Sequence, residues 1–188
     1  LLSRQPELAG KINPAYHQAR TNGGARLRQI NALNFMNLKN YTSSVPVEMT
    51  IGRIEAFLIG TGLVTGIGKE YKGTTVQGIV FQIIYEKDKH PLTVKIQANV
   101  EKCLDFFWIE HCRTARRNRR VKEDFLDQAA RTAWKLQEDW VRVETSLIML
   151  NQRTVLQSFM SCVWDGERTF YQRLKDNGFK QLAAPKPE

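Results

Sequence analysis

The stretch that most constrains this chain is residues 123–150, EDFLDQAARTAWKLQEDWVRVETSLIML. Its apolar positions Leu126, Ala129, Ala133, Leu136, Trp140, Val143, Leu147 and Leu150 recur at spacings of 3, 4, 3, 4, 3, 4 and 3, the period of one continuous helix face. A second row, Ala130, Trp134, Val141 and Ile148, widens the stripe. No Gly or Pro interrupts the run, and Asp124 and Asp127 stand where acidic side chains suit the helix dipole. At the usual rise per residue such a helix is roughly 40 Å long, enough to span a small domain. Small residues fill its first half and bulky ones its second, so a neighbour can approach closely at one end. The expectation is a core helix around which the fold is assembled.

Charge carries most of what the sequence says about function. The chain has 188 residues and a formal net charge of +9. Residues 1–47 hold six Lys/Arg against one acid, and residues 113–122, RTARRNRRVK, hold six against none. The remainder is close to neutral, so the excess sits in an N-terminal arm and one connector. Such segregation points to a polyanionic partner rather than a generally solubilising surface.

Length predicts one domain with appendages: a basic arm of low order over 1–40, a single domain over 41–182 and a tail over 183–188. The arm contains Pro6, Pro14 and the Gly23-Gly24 pair, and its apolar patch Leu27, Ile30, Leu33 and Met36 is too sparse to bury a core alone. It begins LLSRQPELAGK, without a basic-then-apolar signal peptide and with Leu rather than Met first, which suggests that residues precede it. No apolar run approaches the ~18 residues of a membrane span. Cys103, Cys112 and Cys162 are odd in number and form no CxxC, so reduced thiols and a cytoplasmic location are expected.

Along the domain, the pattern predicts a short edge strand at 41–47. A helix follows from Ile51 to Gly60, with Thr50 as its N-cap and Ile51, Ile54, Phe57 and Leu58 inward. Three strands come next. Residues 64–72 form the first, and 76–85, nearly all apolar, read as a central strand buried on both faces. After the charged loop EKDKHP, residues 92–98 alternate as a half-exposed strand. Asn99 caps a helix through VEKCLDFFWIEHC that is apolar nearly all round. Beyond the long helix come a short helix within 151–164, a turn at Asp165-Gly166 and a last short helix over 167–175. The fold class is therefore α+β, a small antiparallel sheet of three to four strands packed on helices.

The helix, three-strand, helix order resembles the double-stranded-RNA-binding arrangement. Here the second helix starts NVEKC, without the Lys-rich start with which that family grips phosphates. The run AARTAWKLQEDWVRVETSLIMLNQRTVLQSF, followed by DGERTFYQRL and preceded by ANVEK, resembles small proteins encoded by phages and prophages, over residues ~48–175. That resemblance implies a viral or mobile-element origin and no defined chemistry.

The candidate binding residues are Arg113, Arg116, Arg117, Arg119, Arg120 and Lys122 of the connector, with Arg20, Arg26 and Arg28 of the arm. On a helix, Arg113, Arg116, Arg117 and Arg120 would form one stripe whose mutual repulsion calls for counter-anions, and guanidinium groups grip phosphate bidentately. Phe106, Phe107 and Trp108 beside the run are able to stack on unpaired bases, although their helical spacing favours core packing over that role.

His111 and Cys112 diverge on a helix and complete no metal motif, and cysteines on an apolar helix are inert. Glu138, Asp139 and Glu144 are the clustered acids of the long helix, with Arg142 paired to Glu138 across one turn as an ordinary surface pair. The glycines of GTGLVTGIGKEYKG lack a GxxxxGK[ST] pattern.

The sequence thus favours a non-enzymatic nucleic-acid-binding accessory protein. It would grip phosphate backbones of DNA or RNA without sequence readout, need no cofactor or membrane, and act within a nucleoprotein complex or as a homo-oligomer. The alternatives are an adaptor docking on an acidic protein and a metal-dependent nuclease.

Overall fold

The structure, a computed structural model, describes residues 38–84, 91–114 and 120–179. The chain divides after Leu38, and the described part other than Leu38 belongs to the unit Lys39–Glu188. The arm up to residue 37, residues 85–90 of the charged loop, residues 115–119 of the basic connector and the tail from 180 lie outside the described residues.

The fold is α+β. Helix α1 is Val47–Gly60, and strands β1 (Val64–Lys72), β2 (Thr75–Ile83) and β3 (Leu92–Gln97) follow. Helix α2 is Val100–Thr114, a 3-10 turn spans Lys122–Phe125, and the long helix α3 is Leu126–Met149. Helix α4 (Val155–Phe159), the 3-10 turn Met160–Cys162 and helix α5 (Phe170–Asp176) complete the chain. The three strands form one antiparallel meander in the order β1-β2-β3. A turn at Lys72–Thr75 joins the first two, with Gly73 at φ 61° supplying a left-handed conformation that glycine adopts without penalty.

The inner face of the sheet carries Ile79, Phe81 and Ile83 on β2 and Val94 and Ile96 on β3, all buried. They form one core with Ile51, Ile54 and Leu58 of α1, Trp134 and Val141 of α3, and Phe159 of α4. Phe159 meets Phe81 and Trp140 edge-on, each with ring centroids 5.6 Å apart, the geometry aromatic quadrupoles prefer. Cys103 and Phe107 of α2 are also buried, on the helix that packs along α3.

Several expectations are corrected. β2 is not buried on both faces: Ile79, Phe81 and Ile83 point inward, while Gln77 and Gln82 are exposed and Val80 is half-buried. Among the described residues, the helices that build the core pack on the face carrying Ile79, Phe81 and Ile83, so the apolar run is a half-buried strand.

Residues 41–47 form no strand. Their carbonyls are satisfied instead by α3, where Gln128 Nε2 donates to Tyr41 O at 2.5 Å and to Ser43 O at 3.2 Å. Arg131 Nε donates to Ser43 O at 3.1 Å, and Thr132 Oγ1 to Asn40 O at 3.1 Å. With those acceptors filled, the segment needs no sheet partner.

Thr50 is not the cap of α1. The helix begins four residues after Ser43, at Val47, behind Pro46, whose ring fixes φ and suits a helix start. Thr50 is fully buried one turn in, its hydroxyl donating to Pro46 O at 3.2 Å. Asn99 does cap α2, its Oδ1 accepting from Lys102 N at 3.0 Å.

The helix expected within 151–164 is shorter than its apolar pattern. Val163 and Trp164 leave it to bridge Val94 and Thr169, with Trp164 N donating to Thr93 O at 2.8 Å. This adds a scrap of chain to the free edge of β3. Thr154 with Gln157, and Thr169 with Gln172, form reciprocal capping boxes at α4 and α5.

The largest correction concerns α3. The expected stripe leaves Leu126 and Leu150 exposed and Val143 at 55 % exposure. From Trp134 onward the inward positions are Trp134, Glu138, Val141, Thr145 and the half-buried Ile148, so the second row of the expected stripe, Trp134, Val141 and Ile148, is the one the core keeps. Two charged residues, Glu138 and Glu144, lie within the buried face because cations reach in to meet them, so a reading based on polarity leaves them out of it.

Candidate nucleic-acid interface

Of the connector cations, Arg113 is the penultimate residue of α2, and Arg116, Arg117 and Arg119 lie outside the described residues, as do Arg20, Arg26 and Arg28 of the arm. Arg120 is exposed and its guanidinium carbon lies 5.9 Å from the centroid of the Phe125 ring, within cation–π range. Lys122 Nζ pairs with Asp105 Oδ1 of α2 at 2.5 Å, closing the elbow between α2 and α3. The structure therefore brings Arg120 and Lys122 to one corner of the domain and locates the ends of the connector there.

That corner is also aromatic. The ring of Trp108 stacks on His111 with centroids 5.8 Å apart, and Phe125 lies 5.0 Å from His111 and 6.4 Å from Trp108. All three rings are half-buried. Val121 and Leu126, in the same turn, are 54 % and 50 % exposed. The three residues singled out in the sequence separate accordingly. Phe107 is buried, edge-on to Tyr41 at 5.3 Å, and Phe106 is half-buried against Phe107, whereas Trp108 faces the elbow. Phe125 and Val121 were not singled out. The available signal was their position, Val121 within the basic connector and Phe125 three residues after its last cation, Lys122.

Elsewhere the domain pairs its charges internally. Glu55 meets Lys69 at 2.9 Å and Glu70 meets Lys95 at 2.7 Å. Asp127 pairs with Arg131 and Asp165 with Arg173, and Arg168 meets Asp176 at 2.9 Å. The clustered acids of α3, Glu138, Asp139 and Glu144, are each engaged as well. Glu138 accepts from Lys135 at 2.8 Å and Arg142 at 3.1 Å, with its side chain 3 % exposed. This is a correction to its expected role as half of a surface pair. Glu144 takes both oxygens to Arg153, at 3.0 and 2.9 Å.

Asp139 accepts from Asn40 at 3.0 Å, Lys39 at 2.8 Å and Lys135 at 3.3 Å. Partial burial pushes its carboxyl up, and the hydrogen bonds from Asn40, Lys39 and Lys135 outweigh that, holding it down to about 2. These carboxylates have their acceptor sites filled by cations of the same chain, and among the described residues no group of three or more His, Cys, Asp or Glu is placed to hold a metal ion. Burial pushes the Cys103, Cys112 and Cys162 thiols up, away from the thiolate a nucleophile needs.

Among the described residues no helix is long and apolar enough to cross a membrane. No protein-family model, curated protein or solved structure matches the chain.

Proposed function

We propose that this is a non-enzymatic nucleic-acid-binding accessory protein. It is of the phage or mobile-element type its sequence resembles, and it grips phosphate backbones through the basic arm and residues 113–122 as a subunit of a nucleoprotein complex. The observation that carries the reading is charge segregation. The connector holds six cations and no acid, while the domain beside it meets many of its acids with its own cations. A surface that neutralises itself gains little from a polyanion, whereas an unbalanced arginine run releases counterions when phosphates replace them. Arginine also offers a rigid fork of donors that matches phosphate oxygens.

The test is fluorescence anisotropy with single-stranded DNA, duplex DNA and duplex RNA over a salt series. Wild type is run beside a variant with Arg116, Arg117, Arg119 and Arg120 all changed to Ala. About six neutralised phosphates give a log–log salt slope on the order of −4 to −5, and removing four cations reduces it by about 3. No binding to any of the three at low salt overturns the reading and directs the search to an acidic protein partner.

A further inference from the structure

The elbow between α2 and α3 combines two features that a phosphate grip alone does not require. It carries an exposed cation, Arg120, beside the Lys122–Asp105 pair, and it exposes apolar surface, with Trp108 and Phe125 half-buried and Val121 and Leu126 about half exposed. Exposed apolar surface rimmed by charge marks an interaction site more often than it marks inert surface. The aromatic rings are not spread along a helix as core residues would be. They converge, with Trp108, His111 and Phe125 lying 5.0 to 6.4 Å apart between centroids. Phe125 comes from the far side of the connector, so the chain leaves and returns to build the cluster.

Two acids of this corner, Asp105 and Asp124, are turned onto the protein. Asp105 holds Lys122, and Asp124 Oδ2 accepts from the Val121 amide at 3.0 Å. Glu123 stays exposed.

We infer that this elbow is a stacking platform for the unpaired bases of single-stranded nucleic acid, with Trp108 and Phe125 as the ring surfaces and Arg120 as the adjoining phosphate contact. The inference rests on the proposed function and narrows its substrate class. A duplex hides its base faces within its own stack and offers side chains only edges and backbone, so a ring platform gives it nothing. A single strand presents each base as a π-face beside a charged backbone, and that pairing matches rings beside an arginine. An acidic peptide would satisfy Arg120 but has no general use for convergent rings.

The experiment uses the full chain at one fixed salt concentration. Three fluorescein-labelled probes of equal length are compared: oligo-dT, the same backbone with abasic sites throughout, and duplex DNA. The expected result is oligo-dT binding at least about tenfold tighter than the abasic strand, since the abasic strand keeps the phosphates and has no bases to stack on the rings.

Phe125→Leu, which keeps apolar volume and removes the ring, is expected to lower oligo-dT affinity about fivefold while leaving abasic affinity and the salt slope unchanged. Equal affinity of wild type for oligo-dT and the abasic strand overturns the platform and leaves the phosphate-binding reading standing. That comparison needs no variant and so survives any loss of folding in one. Equal loss on both strands in Phe125→Leu shows a structural role for the ring and also overturns the inference. Binding to none of the probes overturns both readings together.

Discussion

Asn40 Nδ2 donates to Oδ2 of Asp139 at 3.0 Å, tying the segment just ahead of α1 to the middle of α3. Lys39 joins the same carboxylate at 2.8 Å, and Thr132, Arg131 and Gln128 continue the attachment up the helix. Asn40 takes a left-handed conformation, φ 63°, to make the turn, which Asn tolerates better than most residues. The result is a strap over the N-terminal half of α3, with Tyr41 laid edge-on against Phe107 of α2. It fixes the point from which the basic arm departs.

The strap is acid-sensitive. Asp139's carboxyl is held at about 2, below the unfolded value near ~3.9. Its contribution is therefore fully present above about pH 4 and is lost as pH falls through about 2. Discounted for partial exposure of the group, it amounts to about 1 kcal/mol. Urea unfolding at several values between about pH 5 and pH 2 will show a loss of stability that Asp139→Asn lacks. An identical pH profile for the variant would remove Asp139 as its source.

The face that α3 buries has a direct test in two neighbouring valines. Val141 is fully buried in the core, and Val143 is 55 % exposed. Val141→Ala will cost about 2 kcal/mol, from lost burial and the cavity left behind. Val143→Ala will stay within about 0.5 kcal/mol. Chemical denaturation of the two variants separates them. The reverse ranking would put Val143 rather than Val141 on the buried face of α3.

That pair also marks where the sequence stops being informative. β1, β2 and β3, the body of α1, the Asn99 cap and the Asp165-Gly166 turn were legible, because alternation, helical period and cap chemistry are local properties. The burial of Glu138 and Glu144 on α3 was not, because both read as surface residues until Lys135, Arg142 and Arg153 are known to meet them. The strap was read as a strand because its hydrogen-bond partners lie near position 130. The capping boxes at Thr154/Gln157 and Thr169/Gln172 were readable as T-x-x-Q. For the candidate site, composition exposed the arginine run, but nothing local shows that Phe125 folds back to Trp108.

Glycine on the sheet's outer face gives a third contrast. A Cβ on Gly78 would sit 3.0 Å from the Ile96 carbonyl oxygen and 3.2 Å from Gln97 Cγ, and the first of these is backbone that cannot easily yield. A Cβ on Gly68 would meet nothing within 4 Å. Gly78→Ala is expected to cost about 1–3 kcal/mol through overpacking of the central strand. Gly68→Ala is expected to gain about 0.4–1 kcal/mol by reducing the freedom of the unfolded chain. Thermal unfolding of both variants checks the signs, and a stabilised Gly78→Ala would contradict the close approach of β2 and β3.

Glu138 supplies the last test, because its surroundings decide whether it behaves as a surface or a buried charge. Its carboxylate is enclosed, yet Lys135 and Arg142 are 22 % and 44 % exposed, and Arg142 also lies 4.7 Å over the Phe57 ring. Breaking a fully buried pair from one side costs ~3–5 kcal/mol, since the stranded partner cannot find water. Here both cations reach solvent after the carboxylate is neutralised, so Glu138→Gln is expected to cost about 1–2 kcal/mol. An exposed helix pair would contribute only ~0.3–0.5 kcal/mol and fade with salt. A pair anchored on an enclosed carboxylate is screened far less, so the loss in Glu138→Gln is expected to persist at about 1 M salt. A loss that vanishes there would place the carboxylate in solvent, and with it the polar face of α3.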